Sequence, residues 1–416
     1  MKRRTEHAQW AKEATLLVGC ITALPSHTYA YTIFRDGFWK EGLRILLESE
    51  RFGLYIHIPY CRAHCRYCDF YQQPGACGVP QEYVEALLRD FAAYAPKEAD
   101  GSTVQPQTVY FGGGTPGLLS PEQVAQILQA VRPLQNAEIT LETNPELAAP
   151  KVLAGWRQAG VNRLSVGVQT AREDSLRRLG RLHTAEQARE ALANARLAGF
   201  ASVCGDIMLA LPQYSNAEFD ETLALIQQGG ANHISAYILK IEPGTSFGKN
   251  PPKGLPEEEQ TAEFYLYAVQ ELQKAGYRQY EISNFAKPGY EGKHNMLYWN
   301  CNDYLGLGPS AHSCMGGKRF SFSHNLQAYI AGEVKPQQEG IVEAEDYIML
   351  RLRLAEGLSP HLLQKRFGVT LTGEQIKLLT DCEKQGLAQK VGDAWALTPQ
   401  GLLVENAILV RLMELA

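Results

Sequence analysis

Between Leu54 and about Phe285, six short β-rich runs alternate with longer amphipathic stretches, and this alternation confines the chain to few folds. The runs begin near Leu54, Gln107, Ala137, Arg163, Ser202 and His233. Helix-start signals stand between them. Ser120-Pro121-Glu122-Gln123 and Thr184-Ala185-Glu186-Gln187 are capping boxes, in which the hydroxyl accepts a free backbone N–H and the glutamine reaches back. Gly160, Gly199 and Gly230 are placed to close helices in the left-handed conformation. Each strand–helix–strand step demands a parallel crossover, so the expected class is α/β. A doubly wound sheet and a partial (β/α)6 barrel both satisfy that pattern. The strand ends favour the barrel. They carry Cys61 to Cys68, Gly112 to Thr115, Glu142, Gln169, Asp206 and Glu242-Pro243-Gly244-Thr245, and a barrel gathers such ends into one site.

The alternation sets the expected domain limits at 52–300 for the barrel, with 1–51 as an atypical extension and 301–416 as connector and C-terminal domain. In the extension, Lys2-Arg3-Arg4 precedes a short apolar run ending at Cys20, a weak signal-peptide shape. Lys12 and Glu13 abut that run, which favours an idiosyncratic or mis-started extension over export. From Glu343 the pattern becomes short helices followed by a segment suited to a small β-wing, so this domain is expected to be helical and winged-helix-like. Over residues 343–416 eight Lys or Arg stand against ten Asp or Glu, a net of −2. A packing or lid role is therefore expected, and no nucleic acid as partner.

The whole chain of 416 residues carries a formal charge of −5, which also excludes nucleic-acid binding by bulk charge. No apolar run approaches the ~18 residues of a transmembrane helix. Nine cysteines, an odd number spread over a long chain, do not suit a disulfide scaffold. Three crowd into eight residues and six are scattered. A reduced, cytoplasmic protein with one special thiol cluster is expected.

That cluster is Cys61-x3-Cys65-x2-Cys68, in the loop after the first β-rich run. Three thiolates this close can each hold one iron of a [4Fe–4S] cube, leaving the fourth iron open to a small molecule. Zinc is the competing reading, since soft thiolates also select it. It would want a fourth ligand, which His64, inside the loop, is poorly placed to supply.

At these residues the chain resembles the radical S-adenosylmethionine (SAM) superfamily. Tyr55-Ile56-His57-Ile58-Pro59-Tyr60-Cys61 is similar to the opening of the oxygen-independent coproporphyrinogen oxidase group. The resemblance runs through Phe111 to Pro116, Glu142-Thr143-Asn144-Pro145, Ser165 to Gln169, Asp206-Ile207-Met208 and Leu211-Pro212, over roughly residues 52–416. It implies a [4Fe–4S] cluster on Cys61, Cys65 and Cys68. It implies SAM held by Tyr55, Gly113, Gly114, Thr115, Glu142, Gln169, Arg181 and Asp206, with Tyr67 shielding the cluster. Each has a plain structural alternative: a tight turn for the glycines, rim polars for Gln169, Arg181 and Asp206, a strand aromatic for Tyr55. His57 fits a core histidine as well as a functional one.

Two departures choose within the group. The oxidases carry a further cysteine two residues after the third ligand, where this chain has Phe70. His294-Asn295-Met296-Leu297-Tyr298-Trp299 resembles the H-N-x-x-Y-W motif of the HemW haem chaperones. That resemblance implies haem as cargo, apo-haemoproteins (soluble or membrane-bound) as recipients and an electron donor for the cluster. An imidazole beside Tyr and Trp suits a haem site, with His294 as iron ligand; the alternative is a buried histidine in an aromatic packing cluster. The function expected is haem chaperoning, and the alternative is radical decarboxylation of coproporphyrinogen III to protoporphyrinogen IX. Cys20, Cys77, Cys204, Cys301, Cys314 and Cys382 share no spacing and are read as structural.

Overall fold

A computed structural model of the chain describes residues 52–416; the signal-like segment and Cys20 lie outside the described residues. Six strands lie parallel in sequence order: Gly53–Ile58 (β1), Thr108–Gly113 (β2), Glu138–Thr143 (β3), Arg163–Gln169 (β4), Ser202–Leu209 (β5) and His233–Ile238 (β6). The crossovers carry helices Gln81–Tyr94 (α1), Pro121–Val131 (α2), Pro150–Ala159 (α3), Glu173–Leu179 (α4), Ala185–Leu197 (α5) and Asn216–Gln228 (α6). Both expected capping boxes form, at Ser120 with Gln123 and at Thr184 with Gln187. Gly160 closes α3, and Gly199 and Gly230 follow α5 and α6, all at positive φ.

Alternation divides each strand between two environments. Leu54, Ile56, Ile58, Val109 and Phe111 pack outward with Tyr83, Leu87 and Trp156 in the main hydrophobic core. Gly53, Tyr55 and His57, with Thr108, Tyr110 and Gly112 beside them, form the other face; the Tyr55 and Tyr110 rings stack with centroids 6.2 Å apart. This is the interior of an open (β/α)6 arc.

The sheet continues past residue 300, the boundary expected from the sequence. After Arg278–Gln279 (β7) and Asn284–Ala286 (β8), which extend it antiparallel beyond β6, the chain returns to its opposite edge. There Tyr304–Leu307 (β9) pairs parallel with β1. His312–Met315 (β10), Lys318–Ser321 (β11) and Gln337–Ile341 (β12) then add antiparallel strands, giving the order β12-β11-β10-β9-β1-β2-β3-β4-β5-β6-β8-β7. A four-residue strand with one glycine inside it and another just after it has too little alternation to be read from sequence.

Helices Glu258–Lys274 (α7) and Lys293–Trp299 (α8) lie between the barrel strands and the C-terminal region, and Leu326–Ala331 (α9) packs by α1. The C-terminal domain comprises Ala344–Arg351 (α10), Pro360–Phe367 (α11), Gly373–Lys384 (α12), the hairpin Ala388–Val391 (β13) with Ala394–Leu397 (β14), Pro399–Leu403 (α13) and Glu405–Glu414 (α14). It is helical with a two-stranded wing, as expected. Tyr347, Ile348, Leu352, Leu363, Leu379, Trp395 and Leu412 form its own core, into which Ile282 also packs. No helix of the described residues is long and apolar enough to cross a membrane.

Candidate cofactor site at the strand ends

The thiol loop leaves β1 and is pinned along its length. Tyr60–Cys61 pairs with Gln73–Pro74, the Ala76 N–H donates to the Cys61 carbonyl, and the Gly75 N–H to that of Arg62. In its middle, the Arg66 N–H reaches the Leu179 carbonyl at 3.0 Å, and the Phe247 N–H reaches the Arg66 carbonyl at 2.9 Å. The His64 Nε2 lies 3.1 Å from the Cys68 carbonyl oxygen, so that imidazole is turned to its own loop. Tyr67 packs with Leu179, Met208, Leu211 and Phe247, beside Arg181 and Cys65. Burial pushes the Cys61 thiol up to about 11 and the Cys68 thiol up to about 12. A bound cation would give these buried thiols a strong reason to ionise, so metal uptake here releases protons. Among the described residues no three His, Cys, Asp or Glu side chains converge on one ion, as zinc would need. Three thiols at different corners of a cube need no such convergence, so the donor set fits a [4Fe–4S] cluster.

The glycines at the end of β2 are required by the loop they support. A Cβ on Gly114 would lie 2.9 Å from the Ile58 and Tyr60 carbonyl oxygens and 3.0 Å from the Cys61 sulfur. Gly113 has φ +108°, and its Cβ would meet the His57 ring at 2.6 Å. Its bareness therefore serves the contact with His57 first, beside the tight turn and the room for a cofactor that the sequence offered. Thr115 donates its hydroxyl to the Cys61 sulfur at 3.2 Å. His57 is spent as a core histidine, with Nδ1 3.0 Å from the Tyr55 hydroxyl and Nε2 3.0 Å from the Tyr71 carbonyl oxygen.

Glu142, near the end of β3, accepts a hydrogen bond from the Tyr110 hydroxyl at 2.6 Å. Burial lifts its carboxyl to about 7, with nearby Asp206 adding to the effect and Tyr110 opposing it. Gln169 ends β4 at φ +66°, where the pairing with β5 shifts register. A non-glycine residue in that conformation costs on the order of 1 kcal/mol, and such irregularities re-aim side chains at functional rims. Arg181 ties the rim together: one nitrogen donates to Asn144 Oδ1 at 2.7 Å and to the Gly167 carbonyl at 2.9 Å, the other to the Cys65 sulfur at 3.6 Å. Asp206 accepts from the Ser165 hydroxyl at 2.9 Å and the Cys204 thiol at 3.2 Å, and burial raises its carboxyl. The structure thus brings Tyr55, Glu142, Gln169, Arg181 and Asp206 to the interior and rim that carry the thiols.

His294 is elsewhere. It lies 1% exposed against the N-terminal ends of the strands, opposite the thiol rim. Its Nδ1 is 2.7 Å from the Thr108 hydroxyl at the start of β2, and its Nε2 is 2.7 Å from the Tyr298 hydroxyl. Its ring stacks on Tyr110 at 5.1 Å, and burial holds its pKa at about 3. In this geometry both nitrogens of His294 are bonded within the protein and no ring edge faces solvent, so an iron here would have to displace the Tyr298 hydroxyl from Nε2. The start of α8 is fixed by Glu138, whose two oxygens each accept a backbone N–H, from Lys293 and His294, at 3.0 Å. Gly53 makes room for this plug, since a Cβ there would lie 2.4 Å from Leu297. At the far end of α8, Trp299 packs into the C-terminal core under the Arg353 guanidinium.

Comparisons with known proteins agree with this architecture. The radical SAM superfamily model matches residues 55–226, and that of the HemN C-terminal domain matches residues 340–404. A protein of Escherichia coli strain K12, named Heme chaperone HemW, is 36% identical over 386 residues, covering 88% of this chain and 98% of its own. Its namesake in Haemophilus influenzae is 33% identical over 371 residues, covering 86% and 96%. The chain belongs to the HemW family. Among solved structures, the coproporphyrinogen III oxidase HemN of Escherichia coli, a radical SAM enzyme, superposes with a TM-score of 0.71. It is 22% identical and covers 87% of this chain and 90% of its own, a likeness of fold.

In this HemW-family chain several supporting residues escape a reading of sequence alone. Tyr110, Thr108, Glu138 and Asn144 each act through a partner on another strand or loop. The alternation Thr108-Tyr110-Gly112 was the available signal for an inward row. Arg163, 4% exposed at the start of β4, leaves no comparable trace.

Proposed function

We propose that this HemW-family chain is a haem chaperone that binds haem and passes it to apo-haemoproteins. The observation that carries the reading is the likeness to proteins named haem chaperones, at 33–36% identity over nearly their whole length. Phe70, at the position of the oxidases' extra cysteine, points the same way. In this reading Cys61, Cys65 and Cys68 hold a [4Fe–4S] cluster. Tyr55, Gly113, Gly114, Thr115, Glu142, Gln169, Arg181 and Asp206 surround SAM, and Tyr67 shields the cluster's edge. A bound cluster supplies the electron for reductive cleavage of SAM, received in turn from an electron donor. The residues contribute charge and placement: Glu142 and Asp206 offer carboxylates to the cationic cofactor, and Arg181 offsets the charge of the thiolates. The reduced thiols suit the cytoplasm, and the recipients are apo-haemoproteins. Haem enters as cargo, at a place other than His294.

The competing reading, decarboxylation of coproporphyrinogen III, is separated by experiment. Protein with reconstituted cluster is incubated anaerobically with coproporphyrinogen III, SAM and a strong reductant, beside a haem titration. The chaperone reading expects haem to bind and no protoporphyrinogen IX to form. Multiple turnovers to the two-fold decarboxylated product would overturn it.

A further inference from the structure

His294 is closed, but another histidine is built as ligands to iron are built. His312, in β10, places Nδ1 3.1 Å from Glu339 Oε2 in β12. The other carboxylate oxygen, Oε1, accepts the Ser321 hydroxyl at 2.6 Å, and Ser321 of β11 is the register partner of His312. Three adjacent strands thus hold one imidazole. An ionised carboxylate only accepts, so Nδ1 carries the hydrogen and Nε2 keeps its lone pair. That nitrogen has no partner among the described residues, and the side chain is 44% exposed. A histidine whose second N–H is held by a carboxylate is oriented and made more basic, the common support for a metal-bound imidazole.

The other described histidines lack this arrangement. His57, His233 and His294 each use both ring nitrogens inside the barrel. His183 is buried, His64 is turned to its own loop, and His361 lies exposed on α11 of the C-terminal domain, off the sheet that carries His312. His324 bonds Ser310, two residues before His312, at 3.2 Å, and its ring lies tilted against that of Tyr71 with centroids 5.4 Å apart. Both His312 and His324 act electrostatically on His57, near the end of β1, so both stand at the mouth of the barrel. Phe70, next to Tyr71, is 59% exposed and offers a flat apolar surface of the kind a porphyrin face needs.

We propose that His312 Nε2 is the axial ligand of the haem iron, oriented by Glu339 and Ser321, with the porphyrin at the mouth lined by Phe70, Tyr71 and His324. This rests on the haem-binding reading and assigns the ligand within it. The test is a hemin titration of the full chain, followed by the Soret band and, in the ferrous form, the iron–histidine stretch in resonance Raman. Wild type should show that stretch. His312→Ala should lose it, and Glu339→Gln should keep it at lower frequency with affinity reduced about ten- to a hundred-fold. His294→Ala should bind haem with the wild-type spectrum. An unchanged spectrum and affinity in His312→Ala, or loss of the stretch only in His324→Ala, would overturn the assignment while leaving haem binding in place. A wild-type chain that binds no haem would overturn both.

Discussion

Glu142 is the residue through which the buried interior is proposed to act on the cofactor. With its carboxyl lifted to about 7 by burial, the free protein holds a mixture of neutral and ionised forms near neutrality. A cationic ligand prefers the ionised form, so SAM affinity should rise by about tenfold between pH 6 and pH 8. Calorimetric titration across that range measures it, and Glu142→Gln should flatten the dependence; a flat wild-type profile would separate Glu142 from SAM. His294 makes the opposite kind of contribution. Held neutral by burial at about 3, against an ordinary 6.5, it takes a proton in the unfolded chain before the folded one. His57, at about 4, behaves alike. Each stabilises the fold fully above about 6.5 and costs about 1.4 kcal/mol per pH unit as pH falls below that toward the folded value. His294→Ala should therefore lower stability at pH 7.5 by about 2–4 kcal/mol, through two lost hydrogen bonds and a cavity, yet flatten its decline in acid. Urea denaturation at pH 7.5 and pH 5 checks both parts. The role of His294 could not be told from sequence, because an imidazole beside Tyr and Trp suits a ligand and a plug equally. Its burial at the strand starts, with both nitrogens bonded, favours the plug.

At the level of elements, the thiol loop was legible because its information is local: three cysteines within eight residues, directly after a strand. Replacing Cys61, Cys65 or Cys68 by Ala should abolish the iron content of anaerobically reconstituted protein, whereas Cys77→Ala, an exposed thiol outside the triad, should keep about four irons per chain. A stable cluster in Cys65→Ala would remove the loop from the cofactor. Gly113→Val, which at first sight tests only room for SAM, drives a side chain into His57 and should lower stability as well. The six parallel strands and both capping boxes were equally readable, since period and caps are short-range signals. Strand β9 was not, because it pairs with a strand about 250 residues earlier and carries only Tyr304-Leu305-Gly306-Leu307 to announce itself.

Across the whole molecule, α8 joins the two cores together with the Tyr280–Ile282 segment, which bridges to Leu354 and Ala355. His294 seals the floor of the barrel, while Trp299 and Asn300 meet the C-terminal domain, where Arg351 donates to Asn300 Oδ1 at 2.5 Å and Arg366 to the Cys301 carbonyl at 2.6 Å. Trp299→Ala should loosen that domain without removing the cluster, read as faster limited proteolysis beyond residue 300 at unchanged iron content; unchanged proteolysis would show the joint to lie elsewhere. With that end plugged, the thiols, Glu142 and the rim of β9 to β12 share the opposite mouth, the face proposed above for cofactor and cargo. Haem chaperoning is tested most directly by following haem itself. Haem-loaded protein is mixed with an apo-haemoprotein of distinct Soret band, and transfer is followed by absorbance. A chaperone should pass the band to the acceptor in proportion to the haem loaded. Haem that never leaves the protein for any acceptor would contradict that function.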